Sequence, residues 1–155
     1  MTEALSRRLK QARFTSPHQE ALLSLAVAAG TLNDMVDAVC EKHGLTRPQY
    51  NVLRILRGVH PEGHPRCEIA HRMVERAPDV TRLVDRLQTQ GLVRRNRSGR
   101  DQRQAITRIT PKGLKLLETI QPDLDDQTAR LMGALGETEC HELSRLCALI
   151  FAEKE

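Results

Sequence analysis

The chain has 155 residues, of which 39% are apolar and 28% charged, and a formal net charge of +4. Such a composition fits one globular domain with a core of ordinary size and excludes a disordered chain; no run approaches the roughly 18 apolar residues of a membrane span. Three aromatic residues, Phe14, Tyr50 and Phe151, are too few and too scattered to stack the bases of a single strand.

The opening stretch, MTEALSRRLKQARF, lacks a continuous apolar segment, so a secretory signal is not expected and a cytoplasmic location is. It reads as a short basic amphipathic lead-in. Ser16-Pro17-His18-Gln19 marks a helix start, with Ser16 as cap, Pro17 at the first position and Gln19 completing a capping box. Leu22, Leu25, Ala29, Leu32, Val36 and Val39 recur at helical spacing, and Gly44 is the expected stop. Thr46-Arg47-Pro48-Gln49 is a second capping box, followed by the stripe Val52, Leu53, Leu56 and Val59. HPEGHP, residues 60–65, reads as a loop by its Pro and Gly content.

Residues 66–75 read as a short helix with Ile69, Ala70 and Met73 apolar, and a break follows at 75–78. DVTRLVDRLQTQG then places Val80, Leu83, Val84 and Leu87 on one stripe, with Gly91 as the stop. Two short helices around a tight break form a helix-turn-helix pattern. Two alternating runs follow, 92–97 and 104–109, joined by a turn over 98–102. Thr110-Pro111 starts another helix with Leu114, Leu117 and Ile120. Pro122 is expected to kink it or break it near Gln121. The pattern resumes through Leu131 and Leu135, and Gly136 precedes a last helix striped by Leu143, Leu146, Leu149 and Ile150.

Charge is concentrated in the middle of the chain. Residues 66–112 hold twelve Lys/Arg against five Asp/Glu, a local +7, so the remainder carries −3. The hairpin GLVRRNRSGRDQRQAITRIT alone has six arginines and one carboxylate, Asp101. A solvated face would mix signs; a basic stretch between acidic flanks is the footprint of a nucleic-acid surface, here duplex. On the preceding helix Pro78, Arg82, Asp85, Arg86 and Thr89 fall opposite the apolar stripe. Arg82 and Arg86 there reach either a guanine edge or a phosphate, unless Arg82 pairs with Asp79 or Asp85 on the helix surface. Thr81 lies at the edge of the core face, where its hydroxyl meets a phosphate or caps locally.

VTRLVDRLQTQGLVRR, followed by GRDQRQAITRITPKG, resembles the MarR/SlyA family of winged helix-turn-helix regulators over about residues 45–150, with Ile109 where the family usually has Leu. The resemblance implies a mainly α fold with a small β-hairpin wing. The DNA-binding lobe would span about 46–110, and N- and C-terminal dimerisation helices would span about 16–44 and 111–153, in one unit over 1–155. It implies a sequence-specific regulator, a repressor by the family's habit, that binds a pseudo-palindromic duplex as a homodimer. Pro78 and Asp79, at the entrance to the recognition helix, stand where the family has small hydroxyl residues, and they join Thr81, Arg82 and Arg86 among the expected DNA-facing positions. On the wing, Arg103 of the D-x-R element would enter the minor groove, Asp101 would orient a neighbouring arginine, and Arg97 and Arg100 would meet phosphate or groove. A small aromatic or phenolic effector would sit between the dimerisation helices and the DNA-reading lobe, near Met35, His43, Tyr50 and Arg54.

No cofactor, metal site, membrane partner or enzyme motif is expected: no Walker loop, nucleophile elbow or H-E-x-x-H occurs, and Cys40/His43 and Cys67/His71 offer two ligands each where structural zinc takes four. Cys40, Cys67, Cys140 and Cys147 read as small buried hydrophobes. The alternative function is a cysteine redox sensor on the same fold, resting on Cys40 or Cys67, the latter beside Arg66. A winged-helix module that binds protein is a third reading, disfavoured by the basic wing.

Overall fold

The computed structural model describes residues 3–74, 79–97 and 105–152, with only the backbone of Arg97. The fold is mainly helical, with one small antiparallel sheet. The elements are α1 (Glu3–Leu9), α2 (Pro17–Lys42), α3 (Arg47–Gly58), β1 (His64–Pro65), α4 (Arg66–His71), α5 (Val80–Thr89), β2 (Val93–Arg97), β3 (Ala105–Ile109), α6 (Pro111–Met132) and α7 (Glu137–Phe151). The N-terminal lead-in is thus a helix of its own, with Leu5 buried.

Local chemistry sets the ends of the helices. Ser16 accepts a hydrogen bond from the Gln19 amide, but the expected box is only half built, because the Gln19 side chain accepts instead from the amide and hydroxyl of Thr15 (2.7 and 2.9 Å). At the other end of α2 the Leu45 amide donates to the Cys40 carbonyl and the Gly44 amide to that of Glu41. This Schellman closure needs a left-handed residue, and Gly44 has φ +71°. The Thr46–Gln49 box on α3 is complete.

Three sequence expectations are corrected. Residues 60–65 are not wholly loop: β1 pairs antiparallel with β3, His64 opposite Thr107 and Pro65 opposite Ile106. The sheet order is β1-β3-β2, which leaves Pro65 on an edge, where a residue without an N–H is tolerated. α4 ends at His71, earlier than 75. α6 runs through Pro122, which sets aside the break, though not the kink, expected near Gln121. Leu117 and Ile120 before the proline, and Leu124 after it, are all buried on one stripe, and Pro122 itself is exposed, so packing on the opposite side carries the helix past the missing hydrogen bond.

The core gathers Val39 and Cys40 from α2, Val52, Leu53 and Leu56 from α3, Ile69 from α4, Val84 and Leu87 from α5, Val93 and Ile109 from the sheet, and Leu117 and Ile120 from α6. Much apolar surface stays outside it. α7 has no buried residue, and Leu143, Leu146, Leu149, Ile150 and Phe151 are exposed, as are Leu22 and Leu32 of α2. Against the expectation that no segment resembles a membrane span, α2 is long and apolar enough to cross one by length and composition, with mean hydropathy 1.4 in its most apolar window. The end of α2 nevertheless packs Val39 and Cys40 into the core against α3 and α6.

The wing and α6 meet at a close contact. The Leu92 carbonyl accepts from the amide of Thr110 (3.0 Å) and from its hydroxyl (3.1 Å), and a Cβ at Gly113 would overlap that same carbonyl and lie 2.7 Å from Ile109 Cγ1. Neither obstacle is a flexible chain end. Gly113→Ala is therefore expected to destabilise the fold by about 1–3 kcal/mol despite alanine's better helix propensity. Urea denaturation followed by circular dichroism would show it as a lower midpoint with an unchanged slope.

Candidate nucleic-acid interface

α5 buries Val80, Val84 and Leu87 and turns Arg82, Asp85, Arg86 and Thr89 to solvent. Its start is capped by Asp79, whose carboxylate accepts from the Arg82 amide (3.0 Å) and pairs with Arg82 Nε (3.0 Å). The surface pairing weighed for Arg82 is thus made with Asp79 and not with Asp85. Arg82 remains 81% exposed, so the pair leaves most of the guanidinium open to water. Arg86 is exposed and has no ion pair among the described residues.

Asp85 is occupied elsewhere. It pairs with Arg95 of β2 (2.7 Å), and the same guanidinium donates to the Thr81 carbonyl (3.4 Å). Arg95 therefore ties the wing to the recognition helix. The Thr81 hydroxyl accepts from Arg66 Nη1 at the start of α4 (2.7 Å), which fixes the entrance of α5 to the preceding helix. At the far end Lys112 Nζ donates to the Gln90 carbonyl (2.8 Å). A cation belongs at a helix C-terminus, where carbonyls lack intrahelical partners. The sequence reading counted Arg66, Arg95 and Lys112 as interface charge; their contacts are internal braces. Arg95 opposite Asp85 had no local signal, because the two meet only when β2 folds back on α5.

β2 and β3 form the two-stranded ribbon expected of a wing, in register from Val93 opposite Ile109 to Arg97 opposite Ala105. Arg94 is exposed near its root. Arg108 is half-buried, and its Cγ lies 2.6 Å from where a Cβ at Gly63 would stand. Arg97 closes β2 by its backbone. Pro78, Arg100, Asp101 and Arg103 lie outside the described residues, as does the turn between the strands.

Behind α5 lies a cavity of about 840 Å³ bounded by α2, α3, α5 and α6. Of the four residues expected near an effector, Tyr50 and Arg54 line it and Met35 and His43 do not. Met35 packs on the core, and His43 Nε2 meets Asp123 Oδ2 (3.0 Å), joining the C-terminal end of α2 to the middle of α6. The Arg54 guanidinium stands 6.0 Å from the centre of the Tyr50 ring. Burial pushes the Tyr50 phenol up, so it stays protonated and able to donate. The floor is apolar, with Leu32, Val36, Leu83 and Leu124.

Of the four cysteines expected to be buried, only Cys40 is. Cys40 is buried, Cys67 is exposed, and Cys140 and Cys147 are half-buried. Burial, then the neighbouring Asp37, raise the Cys40 thiol from 9.0 to about 11 against the opposing effect of Arg47. A thiol protonated at neutral pH is a poor nucleophile. This removes Cys40 from the redox reading, and the exposure of Cys67 alone gives that reading no support. Among the described residues no group of three or more His, Cys, Asp or Glu side chains is placed to hold a metal ion.

Comparison with known proteins agrees with this geometry. A model of the MarR family matches residues 43–104. The HTH-type transcriptional regulator MgrA of Staphylococcus aureus is 34% identical over 113 residues, 70% of this chain and 71% of its own. The crystal structure of a MarR transcription factor from Planctomyces limnophilus is 40% identical, with a TM-score of 0.69 over 88% of this chain and 99% of that one. Two structures at 21% identity share the fold with a TM-score of 0.77: Sco3205 of Streptomyces coelicolor, solved with DNA, covers 90% of this chain and 89% of its own, and CouR of Rhodococcus jostii RHA1, bound to p-coumaroyl-CoA, covers 92% and 99%.

Two predictions follow from the braces and the thiols. In a double-mutant cycle, Asp85→Ala and Arg95→Ala should show a coupling of about 0.5–1 kcal/mol in urea denaturation, as a half-exposed pair does. A coupling indistinguishable from zero would mean the pair does not hold the wing. With 5,5′-dithiobis(2-nitrobenzoate), the native protein should react first at Cys67 and at Cys40 only after denaturation. Because the folded Cys40 thiol titrates near 11 and the free one near 9.0, its burial stabilises fully below pH 9, and that contribution is lost as pH rises through 11.

Proposed function

The chain belongs to the MarR family of transcriptional regulators, and from that premise we propose that it is a repressor that binds a pseudo-palindromic duplex as a homodimer and is released by a small-molecule effector. DNA-binding regulation is the family's work; the dimer, the operator symmetry, the sign of regulation and the effector are our reading. The observation that carries it is α5: an exposed basic face, Arg82 and Arg86, on a helix fixed behind by core packing and beside a two-stranded ribbon. A rigid helix of this kind fits a major groove, and a basic ribbon fits the adjacent minor groove.

In this reading the lobe of about 46–110 reads DNA, and the helices of about 16–44 and 111–153 join two copies. The exposed large apolar residues of α7 and of α2 support that division, since a second copy would cover them. The same covering by a second copy accounts for the apolar length of α2 without a membrane. Pro78, Asp79, Thr81, Arg82 and Arg86 stand at the helix entrance and face, and Arg97, Arg100, Asp101 and Arg103 belong to the wing. Asp79 and Thr81 act there mainly by holding Arg82 and Arg66 in place. The protein works in the cytoplasm, beside the genome. The cavity behind α5 is where the effector acts, with Tyr50 and Arg54 among its contacts.

Analytical ultracentrifugation should find a dimer at micromolar concentration; a folded monomer would remove the operator symmetry with it. Affinity for a selected duplex should fall steeply with salt, with a log–log slope of about −5 to −9 for roughly six to ten neutralised phosphates. Arg103→Ala should weaken binding more than Arg108→Ala, because Arg108 is half-buried at the foot of the ribbon. Anisotropy titrations on selected and scrambled duplexes decide it: parental binding by a folded Arg103→Ala dimer would exclude the wing assignment.

A further inference from the structure

Arg82 and Arg86 stand one turn apart on the exposed face of α5, yet they are held differently. Arg86 has no ion pair among the described residues. Arg82 is held twice by a single carboxylate: Asp79 Oδ1 accepts from its amide (3.0 Å), and Asp79 Oδ2 pairs with its Nε (3.0 Å). Asp85, the other carboxylate within a turn of Arg82, is occupied by Arg95 (2.7 Å) and does not draw Arg82 away. The pair with Asp79 is made at Nε, not at the terminal nitrogens, and Arg82 is still 81% exposed. Its two-pronged Nη edge is therefore open to an outside partner, on a side chain whose course is already set.

That difference separates two kinds of acceptor. A phosphate accepts a cation from many directions, and a free, flexible side chain serves it well. A guanine edge presents O6 and N7 in one plane and takes the fork of an arginine in one orientation. Ordering the side chain before binding lowers the cost of meeting so demanding a target. The carboxylate also offsets the charge of Arg82, which weakens its pull on phosphate and leaves its donors in place. Arg82 lies in the first turn of α5, where a helix in the major groove touches base edges. We infer that Asp79 is a positioning residue that makes Arg82 a reader of guanine, while the unbraced Arg86 grips phosphate. This rests on the duplex-binding reading above and gives the two arginines of one face different tasks. Its consequence for the partner is a guanine in each operator half-site, under the first turn of α5.

The test starts from a duplex selected from a random library by the full chain. Each guanine of one half-site is replaced in turn by 7-deazaguanine, in which a C–H stands where N7 accepts. At one position the replacement should cost the parent about tenfold in affinity, as the loss of one arm of a bidentate contact does. In Arg82→Ala, and in Arg82→Lys, which keeps the charge without the fork, the same replacement should cost less than about twofold. In Arg86→Ala it should still cost about tenfold, while the log–log salt slope falls by about one unit per subunit. Asp79→Ser keeps a capping hydroxyl and removes the partner of Nε. Its 7-deaza penalty should fall below about threefold while affinity for a scrambled duplex rises about threefold, because an uncompensated guanidinium is released to phosphate. Loss of a merely structural cap would instead weaken both duplexes together. Asp79→Asn, an equally good cap, gives a second variant with the same expected direction, and circular dichroism confirms folding. A selected duplex without a sensitive guanine, or a sensitivity that survives in both folded Arg82 variants, overturns Arg82 as the reader. An unchanged salt slope in Arg86→Ala overturns its phosphate contact. A penalty unchanged in both Asp79 variants, or scrambled binding that falls with it, overturns the positioning role. A chain that selects no duplex overturns the proposed function and this inference with it.

Discussion

The fixing of α5 is the constraint on which the rest of the structure depends. An exposed helix reads a groove only if its side chains stand in a constant frame, and a ten-residue helix does not hold itself. Val84 and Leu87 sink into the core and set its rotation. Asp79 caps its start, Arg66 anchors Thr81, and Lys112 closes on the Gln90 carbonyl at its end. Arg95 then binds the ribbon to its exposed side through Asp85. Each polar contact is modest at the surface, and together they leave α5 no free end.

This bracing changes what the basic middle of the chain means. The local excess of +7 is real, but part of it is spent inside the molecule. Arg66, Arg95 and Lys112 point their donors at a hydroxyl, a carboxylate and a carbonyl of the same lobe. The charge left for an outside partner is concentrated in Arg82, Arg86 and Arg94 among the described residues. Net charge attracts a polyanion from a distance, whereas the few side chains not used as braces decide how it is read.

What was legible in the sequence was local. Caps at Ser16, Thr46 and Thr110, the glycine stop at Gly44, and the stripes of α3, α5 and α6 depend on neighbours within four residues, and they stand where the pattern placed them. What escaped was non-local. β1 is two residues long and exists because β3, some forty residues later, offers it an edge. α6 crosses Pro122 because its buried stripe is held on both sides, a tertiary effect that outweighs the local penalty. His43 was expected beside Tyr50, yet its ring turns to Asp123, and Met35 packs against the core. The helical register of α2 gave no measure of which way the cavity opens.

Thr110 is the whole connection between β3, which ends at Ile109, and α6, which begins at Pro111. Its hydroxyl accepts from the Gly113 amide at the start of the helix and donates to the Gly91 and Leu92 carbonyls at the root of the ribbon (2.8 and 3.1 Å). There is no slack residue to absorb a rotation. α6 is therefore a lever arm rigidly geared to the hairpin, about 33 Å long at 1.5 Å per residue, so a tilt of roughly 5° at this fulcrum sweeps the far end by about 3 Å. The gearing runs in reverse as well: whatever grips the far end of α6 sets the angle at which the ribbon is presented.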